Sequence, residues 1–198
     1  MQRLQTNSYE LELDSNQVYQ PAEDSWLLLH AAKKEANATD TILEIGVGSG
    51  VIAEQFLQTH FIVGTDMNPH AAQTTYRKGV PVLRADLFFG ICARFDLILF
   101  NPPYLPTKSE ERVNDWLEYA LDGGEDGCDT IERFFAQAES YLTKKGRILV
   151  LLSSLNPKER IHDIFMRYGW SFSCIAEEIV EGERLYVLQC VPQMRCVM

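Results

Sequence analysis

Five short apolar runs constrain what this chain can fold into more than any other feature. They are TILEIG (41–46), FIVGTD (61–66), VPVLRAD (80–86), FDLILF (95–100) and GRILVLL (146–152). All are rich in Ile, Leu and Val, and none alternates polar with apolar residues, which is how strands covered on both faces of a parallel sheet read. Helix signals lie between them. Asn68-Pro69 places a capping side chain before a proline at the first helical position, and Gly79 closes that segment. Asn156-Pro157-Lys158-Glu159 has the spacing of a capping box. Ile161, Ile164, Phe165 and Tyr168 fall on one helical face, as do Ile131, Phe134, Phe135 and Ala138, and both stripes read as core. The stretch SFSCIAEEIVEGERLYVLQCV reads as two strands joined by a turn at Glu181-Gly182. The expected architecture is a doubly wound, mostly parallel α/β sheet ending in an antiparallel hairpin. Ligands of such sheets sit beyond the carboxyl ends of the strands, so sites are sought just after each apolar run.

Bulk composition narrows the function classes. At 198 residues, 46% hydrophobic and 23% charged, the chain suits one globular domain. No run reaches the roughly 18 apolar residues of a membrane span, and no signal peptide opens the chain, so a cytoplasmic protein is expected. The net charge of −10, with no Lys/Arg cluster, disfavours nucleic acid as a partner. Cys92, Cys128, Cys174, Cys190 and Cys196 form no C-x-x-C pair and the four histidines share no ligand spacing, so neither a disulfide framework nor a metal site is expected. The cysteines read as small buried hydrophobes.

Four strand ends carry polar or glycine-rich tips. EIGVGSG sets Gly46, Gly48 and Gly50 at alternate positions between a strand and an expected helix, which lets the backbone turn sharply and approach a ligand. The third glycine comes one residue earlier than in a dinucleotide fingerprint, and a purely structural turn is the plain alternative. Asp66, twenty residues past Gly46, can accept both hydroxyls of a ribose, on a nicotinamide or an adenosyl ligand alike. Asp86-Leu87 offers an acceptor beside an apolar side chain, suited to the amine and face of a purine, although a solvated turn aspartate reads the same way. Asn101-Pro102-Pro103-Tyr104 is the specific signal. A planar NH2 group is a poor nucleophile, and the Asn101 side-chain oxygen with the Pro102 carbonyl can accept its two N–H bonds and aim it at an electrophilic carbon. The prolines stiffen that turn and Tyr104 offers a face for stacking.

With those residues assembled, the chain resembles the class I S-adenosylmethionine-dependent methyltransferases, and within them the HemK/PrmC-like N5-glutamine methyltransferases that modify translation release factors. The resemblance runs from about Val18 to the C-terminus and rests on VYQPAEDSWLLL (18–29), EIGVGSG, TDMNPHA, NPPY and ALDGGEDGCDTIERFF (120–135). It implies a Rossmann-like sheet of seven strands over residues 1–198. Residues 1–17 would be a short N-terminal extension, with no separate substrate-recognition domain. It further implies S-adenosylmethionine as cofactor and S-adenosylhomocysteine as product, contacted by Ser25, Glu44, Gly46, Gly48, Asp66, Met67, Asp86, Leu87 and Asn101. Asn101, Pro102, Pro103 and Tyr104 would be catalytic and hold the glutamine of a Gly-Gly-Gln loop on a class I release factor. Gly123, Gly124 and Gly127 would shape the pocket wall, and Trp26 to Leu29 would form a core helix.

Lacking the N-terminal helical bundle of bacterial members, the chain looks like the archaeal and eukaryotic branch, whose members work with a small zinc-ribbon activator. By analogy that subunit would pair with an edge strand near Val80 to Ala85. Adenine-N6 methylation of DNA or RNA is the nearest rival, since NPPY serves a base amine equally well, and protein-lysine methylation is another. A non-catalytic module that binds the cofactor is disfavoured by the intact NPPY, and a dehydrogenase by the early third glycine.

Overall fold

The computed structural model describes residues 14–108 and 115–193. Strands β1 (Thr41–Ile45), β2 (Phe61–Asp66), β3 (Val82–Arg84), β4 (Phe95–Phe100), β5 (Leu142–Ser153), β6 (Trp170–Val180) and β7 (Glu183–Pro192) form one sheet, in the order β3-β2-β1-β4-β5-β7-β6. The first five run parallel, and β7 pairs antiparallel with both β5 and β6. Between β6 and β7 the turn has φ of 52° at Glu181 and 90° at Gly182. Two positive φ angles in succession match the right-handed twist of the strands they join.

Helices α1 (Glu23–Glu35), α2 (Pro69–Arg77), α3 (Trp116–Tyr119), α4 (Asp129–Ala138) and α5 (Lys158–Tyr168) flank the sheet. Successive residues of the central strands feed two separate cores. Leu43, Ile98, Phe100, Ile148 and Val150 pack with Phe134 and Phe135 of α4 and Phe165 of α5. Ile42, Leu97, Leu99, Leu149 and Leu151 pack instead with Leu27, Leu28 and Ala32 of α1. Every residue of β4 is buried. That is why its sequence shows no alternation: both faces are covered, and each fully buried Leu or Phe contributes about 1.5–3 kcal/mol.

Several local expectations need correction. The glycine loop runs into a 3-10 turn, Ala53–Phe56, and not an α-helix. No side chain caps its start, and hydrogen bonds of three-residue spacing (Gln55 N–H to the Ile52 carbonyl) mix with four-residue ones (Glu54 N–H to the Gly50 carbonyl). Asn156 does not cap α5. Pro157 holds that position without a side-chain bond, because the Asn156 amide is turned inward, where its oxygen accepts from the Ser153 N–H at 3.1 Å. The third run pairs over only three residues, while the fifth strand begins four residues before its apolar run, at Leu142. Of the described cysteines, Cys128 and Cys190 are buried as expected, whereas Cys92 and Cys174 are exposed. The end of the N-terminal extension is tied down: the Gln17 carbonyl accepts from Asn68 Nδ2 at 2.7 Å, and Gln17 Oε1 accepts from the Trp116 N–H at 3.0 Å.

A partly buried cation locks the amino ends of the strands. Arg147 of β5 donates to the Asp40 carboxylate at 2.7 Å, to the Asp96 carbonyl at 3.2 Å, and to the Glu35 carbonyl at the end of α1. Burial alone would raise the Asp40 pKa, but hydrogen bonds from Arg147 and Asn37 outweigh it and hold the carboxyl below its ordinary value. Removing one partner leaves an uncompensated charge in a site where Asp40 is 2% exposed. Arg147→Met is therefore expected to lower stability by about 3 kcal/mol in urea unfolding. Ligand binding at the opposite end of the sheet should not change.

Candidate functional site

The strand order reverses between β1 and β4, and the two strands end level. Ile45 is paired with Phe100, so Gly46 and Asn101 emerge side by side at the carboxyl edge. The 3-10 turn after β1 packs in one core through Phe56, α4 after β4 packs in the other through Phe134, and a cavity opens between them. Its walls include Glu44, Gly46, Asp66, Leu87, Asn101 and Tyr104.

The glycine loop is fastened to the end of β2. The Gly46 and Val47 N–H groups both donate to the Thr65 carbonyl, at 2.8 and 3.1 Å, and the Gly48 N–H donates to Asp66 Oδ2 at 2.9 Å. Gly46 and Gly48 have φ of 70° and 50°, a left-handed geometry that favours glycine. The other oxygen of Asp66 accepts from the Asn68 N–H at 2.8 Å. Asp66 thus organises the loop as well as facing the cavity. Burial pushes its carboxyl up to about 6, against the opposing pull of the Gly48 and Asn68 amides. Burial likewise raises the Glu44 carboxyl well above the ordinary range.

Met67 is 41% exposed on the same rim. Asp86 lines the cavity but is ion-paired with Arg133 of α4, so it shares its charge with a neighbour. Leu87 beside it is a non-glycine residue at φ 49° and only 7% exposed, a strained backbone held at the cavity wall.

Three buried polar atoms among the cavity-lining residues have no hydrogen-bond partner among the described residues: Glu44 Oε2, Thr65 Oγ1 and Asn101 Oδ1. A buried polar group without a partner is costly, and three around one cavity suit a polar ligand that completes them. The Asn101 NH2 is already engaged. It donates to Asp24 Oδ2 at 3.1 Å, leaving the oxygen as the free half of the amide.

Beyond Asn101, the NPPY turn packs against the glycine-rich segment. Leu105 and Asp122 form a parallel bridge, with the Leu105 N–H on the Leu121 carbonyl and the Gly123 N–H on the Leu105 carbonyl. A Cβ on Gly127 would lie 2.3 Å from the Tyr104 carbonyl oxygen, and one on Gly123 would lie 2.8 Å from that of Pro103. These glycines let two backbones touch behind the NPPY turn, while neither they nor Gly124 are among the residues that line the cavity.

No family model matches the chain. A putative protein N5-glutamine methyltransferase of Methanocaldococcus jannaschii is 36% identical over 180 residues, covering 87% of this chain and 90% of that protein. The chain belongs to the protein N5-glutamine methyltransferase family. Methyltransferase HEMK2 of Mus musculus is 37% identical over 160 residues, covering 72% of this chain and 75% of its own length. Among solved structures, an E. cuniculi Mtq2–Trm112 complex responsible for methylation of the eRF1 termination factor superposes with a TM-score of 0.74. It is 26% identical and covers 89% of this chain and 99% of that one.

Two residues of this methyltransferase that sequence reasoning does not assign to the site stand out in the structure. Asp24 lies within VYQPAEDSWLLL, where only the neighbouring Ser25 is read as a ligand contact; it is 3% exposed and bonded to Asn101. Asn156, which reads as a helix cap, donates through Nδ2 to the carbonyls of Tyr104 at 2.9 Å and Gly127 at 3.0 Å. It fastens the NPPY turn to the glycine-rich segment from the end of β5. An inward amide and a capping amide are alike in sequence, and only the position of the two carbonyls separates them. Asn156→Ala should orphan both carbonyls and cost about 2–4 kcal/mol in urea unfolding. Hydrogen exchange in residues 101–107 should quicken at the same time.

Proposed function

We propose that this chain methylates the side-chain amide nitrogen of the glutamine in the Gly-Gly-Gln loop of a class I release factor, using S-adenosylmethionine. The observation that carries the reading is Asn101 Oδ1, a buried acceptor with no partner among the described residues, beside the glycine loop at the strand reversal. Bound S-adenosylmethionine supplies a methyl group activated by its sulfonium and is left as S-adenosylhomocysteine. Glu44, Gly46, Gly48 and Ser25 would hold its amino-acid end, Asp66 and Met67 its ribose, and Asp86 and Leu87 its purine. The three unpartnered atoms fit such a ligand, which brings both donors and acceptors.

Asn101 Oδ1 and the Pro102 carbonyl accept the two N–H bonds of the substrate amide and fix its nitrogen. Pro103 stiffens the turn and Tyr104 stacks on the amide plane. A C–N bond forms as the nitrogen becomes cationic, and its proton then passes to water without a dedicated base. Burial, the charge of Asp24 and that of Glu183 raise the Tyr104 phenol, so Tyr104 stays neutral and takes no part as a base.

The carboxylates Asp24, Glu183 and Glu23 around Tyr104 repel a phosphate backbone. This favours a protein acceptor over an adenine. No described helix is long and apolar enough to cross a membrane.

A small zinc-ribbon activator would dock on the outer edge of β3, which pairs only with β2 among the described residues; Leu83 of β3 is 39% exposed, Phe61 at the start of β2 62%, and Phe89, six residues past Leu83, 80%. An unpaired edge flanked by exposed apolar side chains offers both main-chain hydrogen bonds and apolar area to a partner strand.

Asn101→Ala is expected to abolish label transfer to a Gly-Gly-Gln release factor while S-adenosylhomocysteine binding is largely preserved. Label appearing on an adenine oligonucleotide alone would reverse the acceptor assignment. A second expectation concerns pH. The ribose hydroxyls donate to the Asp66 anion, and its folded pKa is raised to about 6, so affinity is full above that value and falls below it. Calorimetry should show S-adenosylhomocysteine affinity dropping by up to about tenfold per pH unit below 6, and Asp66→Asn should flatten that slope.

A further inference from the structure

We propose that Asp24 is a positioning residue that fixes which half of the Asn101 amide meets the substrate. The inference rests on the amide-clamp reading above and deepens it. An asparagine amide carries an oxygen and an NH2 of nearly equal size, so shape alone does not choose between its two orientations. The choice decides the chemistry. With the oxygen forward, Asn101 accepts an N–H of the substrate. Turned over, it presents donors to a group that is itself a donor.

Asp24 removes the ambiguity. Its carboxylate is acceptor-only when ionised, so it takes the Asn101 NH2 at 3.1 Å and repels the oxygen. Asp24 cannot swing away. It sits in the first turn of α1, 3% exposed, with Oδ1 accepting from the Ser25 N–H at 2.5 Å and the Ser25 hydroxyl at 3.2 Å. Oδ2, the oxygen on Asn101, also accepts the Tyr19 hydroxyl at 3.0 Å. Behind it, Leu27, Leu28 and Leu29 anchor the helix in the core. What remains without a partner among the described residues is Asn101 Oδ1.

An acidic residue in a helix's first turn also favours the helix dipole, and Glu23 beside Asp24 does so too. The dipole role needs no particular neighbour at 101, and this separates the two. In Asp24→Asn the Ser25 N–H keeps the new side-chain oxygen, so the NH2 faces Asn101. Asn101 then turns its own oxygen toward position 24 and its NH2 toward the substrate. The double change Asp24→Asn with Asn101→Asp restores complementarity, because the new amide at position 24 donates to one oxygen of the new carboxylate at position 101 and the other oxygen faces the substrate.

The experiment measures label transfer from S-adenosylmethionine to a Gly-Gly-Gln release factor, with S-adenosylhomocysteine affinity by calorimetry, for Asp24→Asn, Asn101→Ala and the double change. Asp24→Asn should lower kcat by about a hundredfold, the scale of losing one preorganised polar contact, with cofactor affinity within about threefold. The double change should regain at least about tenfold over Asp24→Asn. Turnover of Asp24→Asn within about threefold of the unaltered protein, with Asn101→Ala inactive, overturns the role of Asp24 and leaves the clamp standing. An active Asn101→Ala overturns the clamp and this inference with it. Should Asp24→Asn fail to fold, the double change decides: if it binds cofactor normally but transfers no faster than Asn101→Ala, Asp24 is structural only.

Discussion

The level ending of β1 and β4 is the constraint on which the rest depends. Because Ile45 and Phe100 are paired across the strand reversal, the glycine turn and Asn101 leave the sheet as neighbours. Had either strand slipped by one residue, the pleat would have turned its side chains to the other face. The pairing is held by cores on both faces of the sheet and, at the far end, by Arg147 bonded to Asp40, Asp96 and Glu35. Rigidity at the amino ends fixes where the carboxyl ends fall.

Around that reversal the polar groups divide into those satisfied by the protein and those without a partner among the described residues. Asp66 spends a lone pair on each of two backbone amides and so builds the loop it faces. Asn156 commits its whole amide to the scaffold, with its oxygen on Ser153 and its NH2 on Tyr104 and Gly127. Asn101 is divided, its NH2 held by Asp24 and its oxygen free. The two asparagines share a chemistry and differ only in how many partners the fold provides.

On the proposed mechanism, that division leaves no need for a strong base. When the electrophile is already activated, what the protein adds is orientation of a weak nucleophile, and orientation comes from fixed acceptors on rigid elements. A strand end stopped by two prolines, wedged against a glycine-rich segment and steadied by a buried carboxylate, is such an element.

The sequence by itself determined the sheet and which residues stand at its strand ends. Continuous apolar runs mark doubly covered strands because burial of both faces removes alternation, and Gly46, Asp66, Asp86 and Asn101 all lie at strand ends where ligands of such folds sit. The Glu181-Gly182 turn was equally legible, its chemistry being local. What only the tertiary structure decided were the partners of amides and carboxylates that sequence treats as interchangeable. Asn156 reads as a helix cap until two distant carbonyls draw it inward, and Asp24 has no assigned role within VYQPAEDSWLLL until β4 brings Asn101 to it across 77 positions. Hydrogen bonds between residues so far apart depend on ångström-scale placement, and no periodicity along the chain records that.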